Sequence, residues 1–246
     1  MFKDYELEVI YRDEYLIAIN KPSGLLVHKS MIDRYEIYFA MKMLRDQIGA
    51  WVYPIHRLDK PTSGVLLFAL DSHTAKLMSE QFKTHSIQKN YVAVVRGYIA
   101  EEGLIDYALS VKLDKIADKD VNAVPKEAQE AITAFERLEI VELPIAVGRY
   151  PQTRYSLVEL KPKTGRKHQL RRHMKHLSHH ILGDTKYGRG EHNKMIRAEF
   201  DCHRMLLHAT SLEIIHPYTE DKLIINASLD ETFTTLFKSF GWKYGV

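Results

Sequence analysis

Residues 54–70, PIHRLDKPTSGVLLFAL, place one carboxylate, Asp59, on a short loop between an arginine and a Pro-Thr-Ser-Gly turn, just ahead of a run of strand-forming residues. Two chemistries fit an acid in that setting. It can cap backbone N–H groups of the turn, the common use of an isolated Asp-x-Pro, or it can act as a nucleophile. The stretch alone does not separate them. Arg57 lies two residues earlier and, in an extended loop, projects the same way as Asp59.

A second concentration of chemistry runs from Lys161 to Gly183, with seven basic side chains (Lys161, Lys163, Arg166, Lys167, Arg171, Arg172, Lys175), five histidines and no acid. Solvated helices usually mix both signs to gain i,i+4 pairs. A polyanion is the simplest partner for the unmixed run, and partly protonated histidines add to the attraction. We read it as a basic helix suited to RNA, with Arg166, Lys167, Arg172 and Lys175 as candidate substrate-binding residues. His168, His173, His176, His179 and His180 resemble a metal cluster, but they lack a His-Glu-x-x-His spacing, a nearby cysteine or an acid among them. Lys163-Thr164-Gly165 lacks the spacing of a phosphate loop, no dinucleotide-binding glycine pattern occurs, and Ser63-Gly64 lacks a nucleophile elbow. Neither a metal nor a cofactor is expected.

The chain of 246 residues, 45% hydrophobic, can bury a sizeable core, and no composition break divides it. A net charge of +3 is too small to announce a nucleic-acid protein, so the uneven distribution of charge carries that argument. The single cysteine, Cys202, excludes an internal disulfide framework and a cysteine-built zinc site. The longest apolar run, Val65 to Leu70, is too short to span a bilayer, and the start MFKDYELEVIYRDE carries acids where a secretion signal needs basic and then apolar residues. A cytoplasmic protein with no membrane partner is expected. Its oligomeric state is not legible, and a monomer is assumed.

The elements that must position these residues follow from periodicity and punctuation. Leu7–Tyr11 and Tyr15–Asn20 read as strands, then the turn Lys21-Pro22-Ser23-Gly24. Tyr35–Ile48 reads as a helix, because Ile37, Met41, Leu44 and Ile48 recur at helical spacing and Gly49 stands at a C-cap position. Val65–Leu70 is a strand, and Asp71 or Ser72 caps a helix to about Lys83 with Ala75, Met78 and Phe82 inward. Residues 87–96 alternate as a strand with Lys89, Tyr91, Ala93 and Val95 on one face. Further strands are expected at Ile105–Val111, Ala131–Ile140, Arg154–Leu160, Ser211–Ile215 and Leu223–Ala227, with Leu113–Lys126 as a surface loop. Strands outnumber helices without regular alternation, which argues for an α+β domain on a mixed, mostly antiparallel central sheet flanked by helices. No repeat of fixed period is present.

His56-Arg57-Leu58-Asp59 followed by Thr62-Ser63-Gly64 and Leu66-Leu67-Phe68-Ala69 resembles the signature loop of the RluA-type pseudouridine synthases. So do Asn20-Lys21-Pro22-Ser23-Gly24-Leu25 with His28, and Lys89-x-Tyr91-x-Ala93-x-Val95-x-Gly97. Thr164-Gly165-Arg166-x-His168-Gln169-x-Arg171-x-His173, Gly183-Asp184 with Tyr187-Gly188, and Arg204-x-x-Leu207-His208-Ala209 are similar to the later motifs of that family. They span residues 20 to 217 in one order, which implies one pseudouridine-synthase catalytic domain over residues 1–246. The family's usual His-Pro before Gly-Asp is His179-His180 here, and a looser turn is expected. The first strand begins within the first ten residues, so the S4-like RNA-binding domain at the front of many relatives is expected to be absent.

The resemblance implies an isomerase that breaks the N1 glycosidic bond of uridine, turns the uracil and rejoins it through C5 without a cofactor. Asp59 is then the nucleophile, by attack on the ribose, on uracil C6, or by way of a glycal. A nucleophilic carboxylate in a dry pocket needs a neighbouring cation to keep its charge, and Arg171 is the candidate ion-pair partner, a phosphate contact being its other reading. Tyr91 is implied to stack on the extruded base and to serve in proton transfer, and Leu207 to pack against the base, where composition alone reads both as core. Arg57 is implied to enter the gap left by the flipped nucleotide or to bind phosphate.

Leu113–Lys119 and Gly148–Tyr155 resemble the branch that modifies position 65 of tRNA, so tRNA is the expected partner. Arg149, Tyr150, Arg154 and Tyr155 interleave charge and aromatics in a manner suited to RNA or to an edge strand. A ribosomal-RNA enzyme of the same family is the alternative. A non-catalytic RNA-binding factor is a third reading, against which the joint presence of Asp59, Tyr91 and Arg171 argues.

Overall fold

The computed structural model describes residues 2–29, 35–84, 86–110 and 127–244. Its first half contains β1 (Val9–Arg12), β2 (Leu16–Lys21), α1 (Ala40–Ile48), β3 (Tyr53–Pro54), β4 (Ser63–Ala69), α2 (Ser72–Lys83), β5 (Gln88–Arg96) and β6 (Glu102–Asp106). Then come β7 (Ile132–Leu143), β8 (Thr153–Pro162), α3 (Gln169–His176), α4 (Gly190–Phe200), β9 (Leu207–Ile215), β10 (Lys222–Asn226) and α5 (Glu231–Phe240). Among the described residues the strands form one sheet in the order β1-β2-β4-β9-β5-β8-β7-β6, with β10 beside β9 and β3 beside β4. Among the described strand pairs only β4 and β9 run parallel, where Ser63 faces His208 and Gly64 faces Ala209. The fold is thus the expected α+β arrangement on a mixed, mostly antiparallel sheet. No helix among the described residues is long and apolar enough to cross a membrane.

The middle of the sheet is covered on both faces. All seven residues of β4 are buried. Leu66 and Phe68 pack with Ala40 and Leu44 of α1, while Val65, Leu67 and Ala69 pack with Met78 of α2. Strand β5 divides in the same way: Val92 and Val94 meet Phe233 and Phe237 of α5, and Ala93 and Val95 meet Leu170 and Met174 of α3. Period-two alternation therefore decides which helix each side chain serves. Each fully buried side chain of this size contributes about 1.5–3 kcal/mol.

Helix α1 starts five residues later than its apolar spacing predicts. Phe39 is extended (φ −150°, ψ 147°) and bridges Leu26, while Ile37 is 66% exposed and belongs to no helix face. Asp71 caps α2 by accepting from Thr74 N at 2.9 Å, and Gly49 closes α1 in the left-handed conformation (φ 68°), both as expected. Strand β6 ends at Asp106, and Leu109 pairs separately with Gln129. Strand β9 begins at Leu207, four residues before the predicted start. The predicted loop Leu113–Lys126 lies outside the described residues.

The basic run is not one helix. Lys161 belongs to β8, residues 163–168 form the turn, and α3 carries only Arg171, Arg172 and Lys175. Lys161 is met by Glu159 of the same strand at 2.6 Å and by Glu136 of the neighbouring β7 at 3.6 Å, the second an acid that a reading along the chain does not see. The His179-His180 turn is not loose either. His180 Nδ1 donates to Tyr187 O at 2.7 Å, His179 Nδ1 donates to Arg96 O at 2.8 Å, and Arg96 N donates to His180 O at 2.9 Å.

Candidate active site

The loop before β4 is fixed at several points. His56 stacks on Phe82 and accepts from Leu67 N through Nε2 at 3.1 Å. Lys21, with no exposed surface, donates through Nζ to the carbonyls of Pro22 (2.9 Å), Leu25 (2.8 Å) and Lys60 (3.3 Å). Burial, with Arg204 adding, pulls its pKa down to about 7 against the opposing charge of Asp59. Gly24 N also donates to Lys60 O at 2.8 Å, and Ser23 Oγ to Pro61 O at 2.8 Å. The loop is thereby tied to the Lys21–Leu25 turn, which explains why the two motifs occur together. At Gly64 (φ 108°) a Cβ would collide with the backbone of Ala209, so the Ser-Gly pair permits the close parallel contact of β4 with β9.

The carboxylate of Asp59 is not spent on the turn. Its backbone carbonyl accepts from Thr62 N at 3.0 Å, whereas its Oδ2 accepts from Arg171 Nη1 at 2.9 Å and its Oδ1 lies 3.8 Å from His168 Nε2. Arg171 is itself gripped by Asp184, with Nε to Oδ2 at 2.7 Å and Nη2 to Oδ1 at 2.9 Å. Asp184 Oδ1 accepts in addition from the backbone N–H groups of Lys186 (2.8 Å) and Tyr187 (2.9 Å). Arg171 is 6% exposed and Asp184 1%, so both charges are desolvated. Burial opposes the charge of Asp184, yet Arg171 and the two N–H groups hold its carboxyl below the usual range. Burial likewise opposes the guanidinium, and Asp184 followed by Asp59 overcomes it, so Arg171 stays charged. A bidentate clamp of this kind fixes the plane of the guanidinium and leaves one N–H edge directed at Asp59.

Tyr91 is half-buried on β5 and packs against apolar clusters on both sides of the sheet's middle. Burial first, and then the charge of Asp59, push its hydroxyl pKa upward, so it is a neutral phenol at ordinary pH. Leu207 is buried in the same cluster as Ala93 and Leu170. One cleft of about 2040 Å³ holds Asp59, Tyr91 and Arg171 together with Arg57, Arg166, Lys167 and Leu207. Small-molecule pockets usually occupy about 300–1,000 Å³, so this groove suits a larger partner. Arg57 is exposed and makes no hydrogen bond or ion pair among the described residues. Arg166 donates through Nε to Glu130 O at 2.9 Å. Arg172 and Lys175, expected with them, lie outside the cleft, and Arg172 donates to Ser110 Oγ at 3.3 Å.

Three features of the site carried no role in the sequence reading. Asp184 orients Arg171. His168, in the left-handed conformation (φ 56°), sets its ring between Asp59 and the Tyr187 hydroxyl, which is 2.9 Å from Nδ1. Burial lowers its pKa, with Asp59 opposing. The third is a buried polar chain: Arg204 Nη2 donates to Ser63 Oγ (2.7 Å), Ser63 Oγ to His208 Nδ1 (2.7 Å), and His208 Nε2 to Ala227 O (3.3 Å). Arg204 also pairs with Asp230, whose Oδ1 caps α5 by accepting from Phe233 N at 3.2 Å. All three were within quoted motifs or beside them, but their partners are distant in sequence. The remaining histidines of the basic run serve separate ends: His173 joins Thr133 to Tyr107 O, and His176 stacks on Tyr107 at 3.7 Å. Tyr155, grouped with the RNA-facing residues by its alternation, is fully buried against Phe240 and hydrogen-bonded to His192.

The model of the RNA pseudouridylate synthase family matches residues 15–176, and the chain belongs to that family. A Vibrio parahaemolyticus protein named tRNA pseudouridine synthase C is 57% identical over 237 residues, 96% of each chain. The protein of that name from Haemophilus ducreyi is 58% identical over 239 residues, 97% of this chain and 98% of that one. Among solved structures, human RNA pseudouridylate synthase domain containing 4 superposes with a TM-score of 0.69 at 26% identity, over 97% of this chain and 95% of that one.

Proposed function

We propose that this chain isomerises uridine to pseudouridine in tRNA, at position 65 in the T stem, in the cytoplasm. The observation that carries the catalytic reading is the Asp184–Arg171–Asp59 chain of charge, which presents one carboxylate, unspent on its own turn, to a basic groove. Asp59 is the nucleophile. Arg171 keeps it ionised as the base displaces water, Tyr91 stacks on the extruded uracil, and Leu207 closes the apolar side. A neutral Tyr91 phenol can hand on one proton while taking up another, as removal of H5 requires. Arg57, exposed at the cleft and without a hydrogen bond or ion pair among the described residues, fills the gap left by the flipped nucleotide. Arg166 and Lys167 hold phosphates beside it. The relatives' names and the branch-like stretch Gly148–Tyr155 support tRNA as substrate.

Site-resolved pseudouridine mapping of total RNA, with and without the protein, tests both halves of this reading. The expected result is a single gain at tRNA position 65, absent with Asp59→Asn, which nearly preserves shape and leaves RNA binding in place. Turnover by Asp59→Asn removes Asp59 from its role, and a gain confined to ribosomal RNA removes the tRNA assignment.

A further inference from the structure

A second basic surface lies beyond the cleft, at the far end of β5. Arg96 closes that strand five residues after Tyr91, about 16 Å away at 3.3 Å per residue. Its Nε donates to His192 Nε2 at 3.0 Å. Arg149 stands over the ring of Tyr150, 5.1 Å from its centroid, and donates to its hydroxyl at 3.0 Å. Tyr150 leads into β8, whose Tyr155 pairs with Arg96 and whose Arg154 O accepts from Gly97 N at 2.6 Å, and the hydrogen bond and charge of Arg149, with Arg96 adding, hold the Tyr150 hydroxyl below its ordinary pKa. Burial lowers the pKa of His180, against the Tyr187 carbonyl and with the charges of Arg189, Arg96 and Lys175 adding. Arg96 bonds His192, three residues after the α4 cap Arg189, and its carbonyl accepts from His179, four residues after Lys175, so these cations share one region of the surface with Arg149, and among the described residues none of the four makes a salt bridge. Glu191, in the first turn of α4 two residues after Arg189, offsets part of the charge. Arg154 does not join the group, because Glu142 meets it at 2.5 Å.

Two segments carry basic residues continuously from the cleft to this surface. Helix α3 leads from Arg171 to Lys175, one turn or about 6 Å further on. The chain from Lys186, on the cleft wall, leads in three residues to Arg189. Like charges gathered with only partial offset from one acid cost stability through repulsion, which a polyanion relieves. We infer that Arg96, Arg149, Arg189 and Lys175 bind the phosphates of the same RNA where its duplex continues past the stem that holds the target uridine. This rests on the tRNA reading above: in folded tRNA the T stem stacks end to end on the acceptor stem, so a duplex does continue.

The test compares binding of two RNAs at one salt concentration by fluorescence anisotropy: an unmodified full-length tRNA transcript and a hairpin of the T arm alone. Arg149→Gln with Arg189→Gln should weaken full-length binding on the order of tenfold and make its salt slope shallower by about 2. The hairpin should lose threefold or less with its slope kept, and Arg149→Lys with Arg189→Lys should restore full-length binding. Equal losses on both RNAs, or no loss on either, overturn the inference. Binding is read without turnover, so failure of the position-65 assignment would show separately, as wild-type modification elsewhere.

Discussion

Asp59 acquires its character from a residue it never touches. Asp184 holds two edges of the Arg171 guanidinium, and only the third is left for Asp59. Removing one partner from a buried pair costs about 3–5 kcal/mol, because the other charge stays buried. Asp184→Asn should therefore lower the unfolding free energy extrapolated from urea titration by an amount in that range, with a lower midpoint, and also depress turnover, since Arg171 can rotate away from Asp59. An unchanged midpoint with full turnover would show that the N–H groups of Lys186 and Tyr187 suffice. Tyr91→Phe separates ring from hydroxyl: base stacking and RNA affinity should persist while the product-forming step slows at least tenfold, about 1.4 kcal/mol. Full single-turnover rates from that variant would take proton transfer away from Tyr91. Asp59, Tyr91 and Arg171 were legible as a set because their motifs are compact. Asp184 was not, since nothing along the chain indicates that it meets Arg171 across thirteen residues.

The elements around the site are joined by neutral histidines rather than by ion pairs alone. His208 passes the hydrogen bond of Ser63 to Ala227 O, and burial first, with Arg204 adding and the Ala227 carbonyl opposing, brings its pKa down from 6.5 to about 4. A histidine with a depressed folded value stabilises above its unfolded pKa and loses that contribution as pH falls toward the folded one. Between pH 6.5 and 4 the loss from His208 is about 3 kcal/mol. Urea midpoints measured at pH 7 and pH 4.5 should thus fall steeply for the native chain and less for His208→Gln. Equal declines would place the acid sensitivity on His56 and His192, which burial also lowers. Strand positions were readable because alternation is local. The start of α1 was misjudged because Ile37 shares the helical spacing by coincidence, whereas Phe39 is extended by its bridge to Leu26. Helices α4 and α5 were passed over. In α5 the cap Asp230 and the spacing of Phe233, Phe237 and Phe240 were present, but its threonines and aromatics are weak helix formers.

On the proposed reading RNA lies along the basic cleft that holds Asp59, and the target base must leave its stack before it can react. A uridine in the T stem is paired, and extruding it costs a few kcal/mol. Arg57 lines the cleft from the same loop as Asp59, separated from it only by the buried Leu58, so the proposed filling of the vacancy and the proposed nucleophilic step fall to one short segment. A mismatched partner base reduces the opening cost and leaves the chemistry untouched. If flipping limits the rate, a tRNA carrying a mismatch opposite position 65 should react at least as fast as the paired tRNA. Arg57→Ala should slow the paired substrate more than the mismatched one, because only the paired duplex needs its gap filled. Both rates must be taken under single-turnover conditions at one salt concentration, with the T arm shown to be folded. Equal slowing of the two substrates would make Arg57 a phosphate contact, and a slower mismatched tRNA would mean that the enzyme reads the intact stem before it opens it.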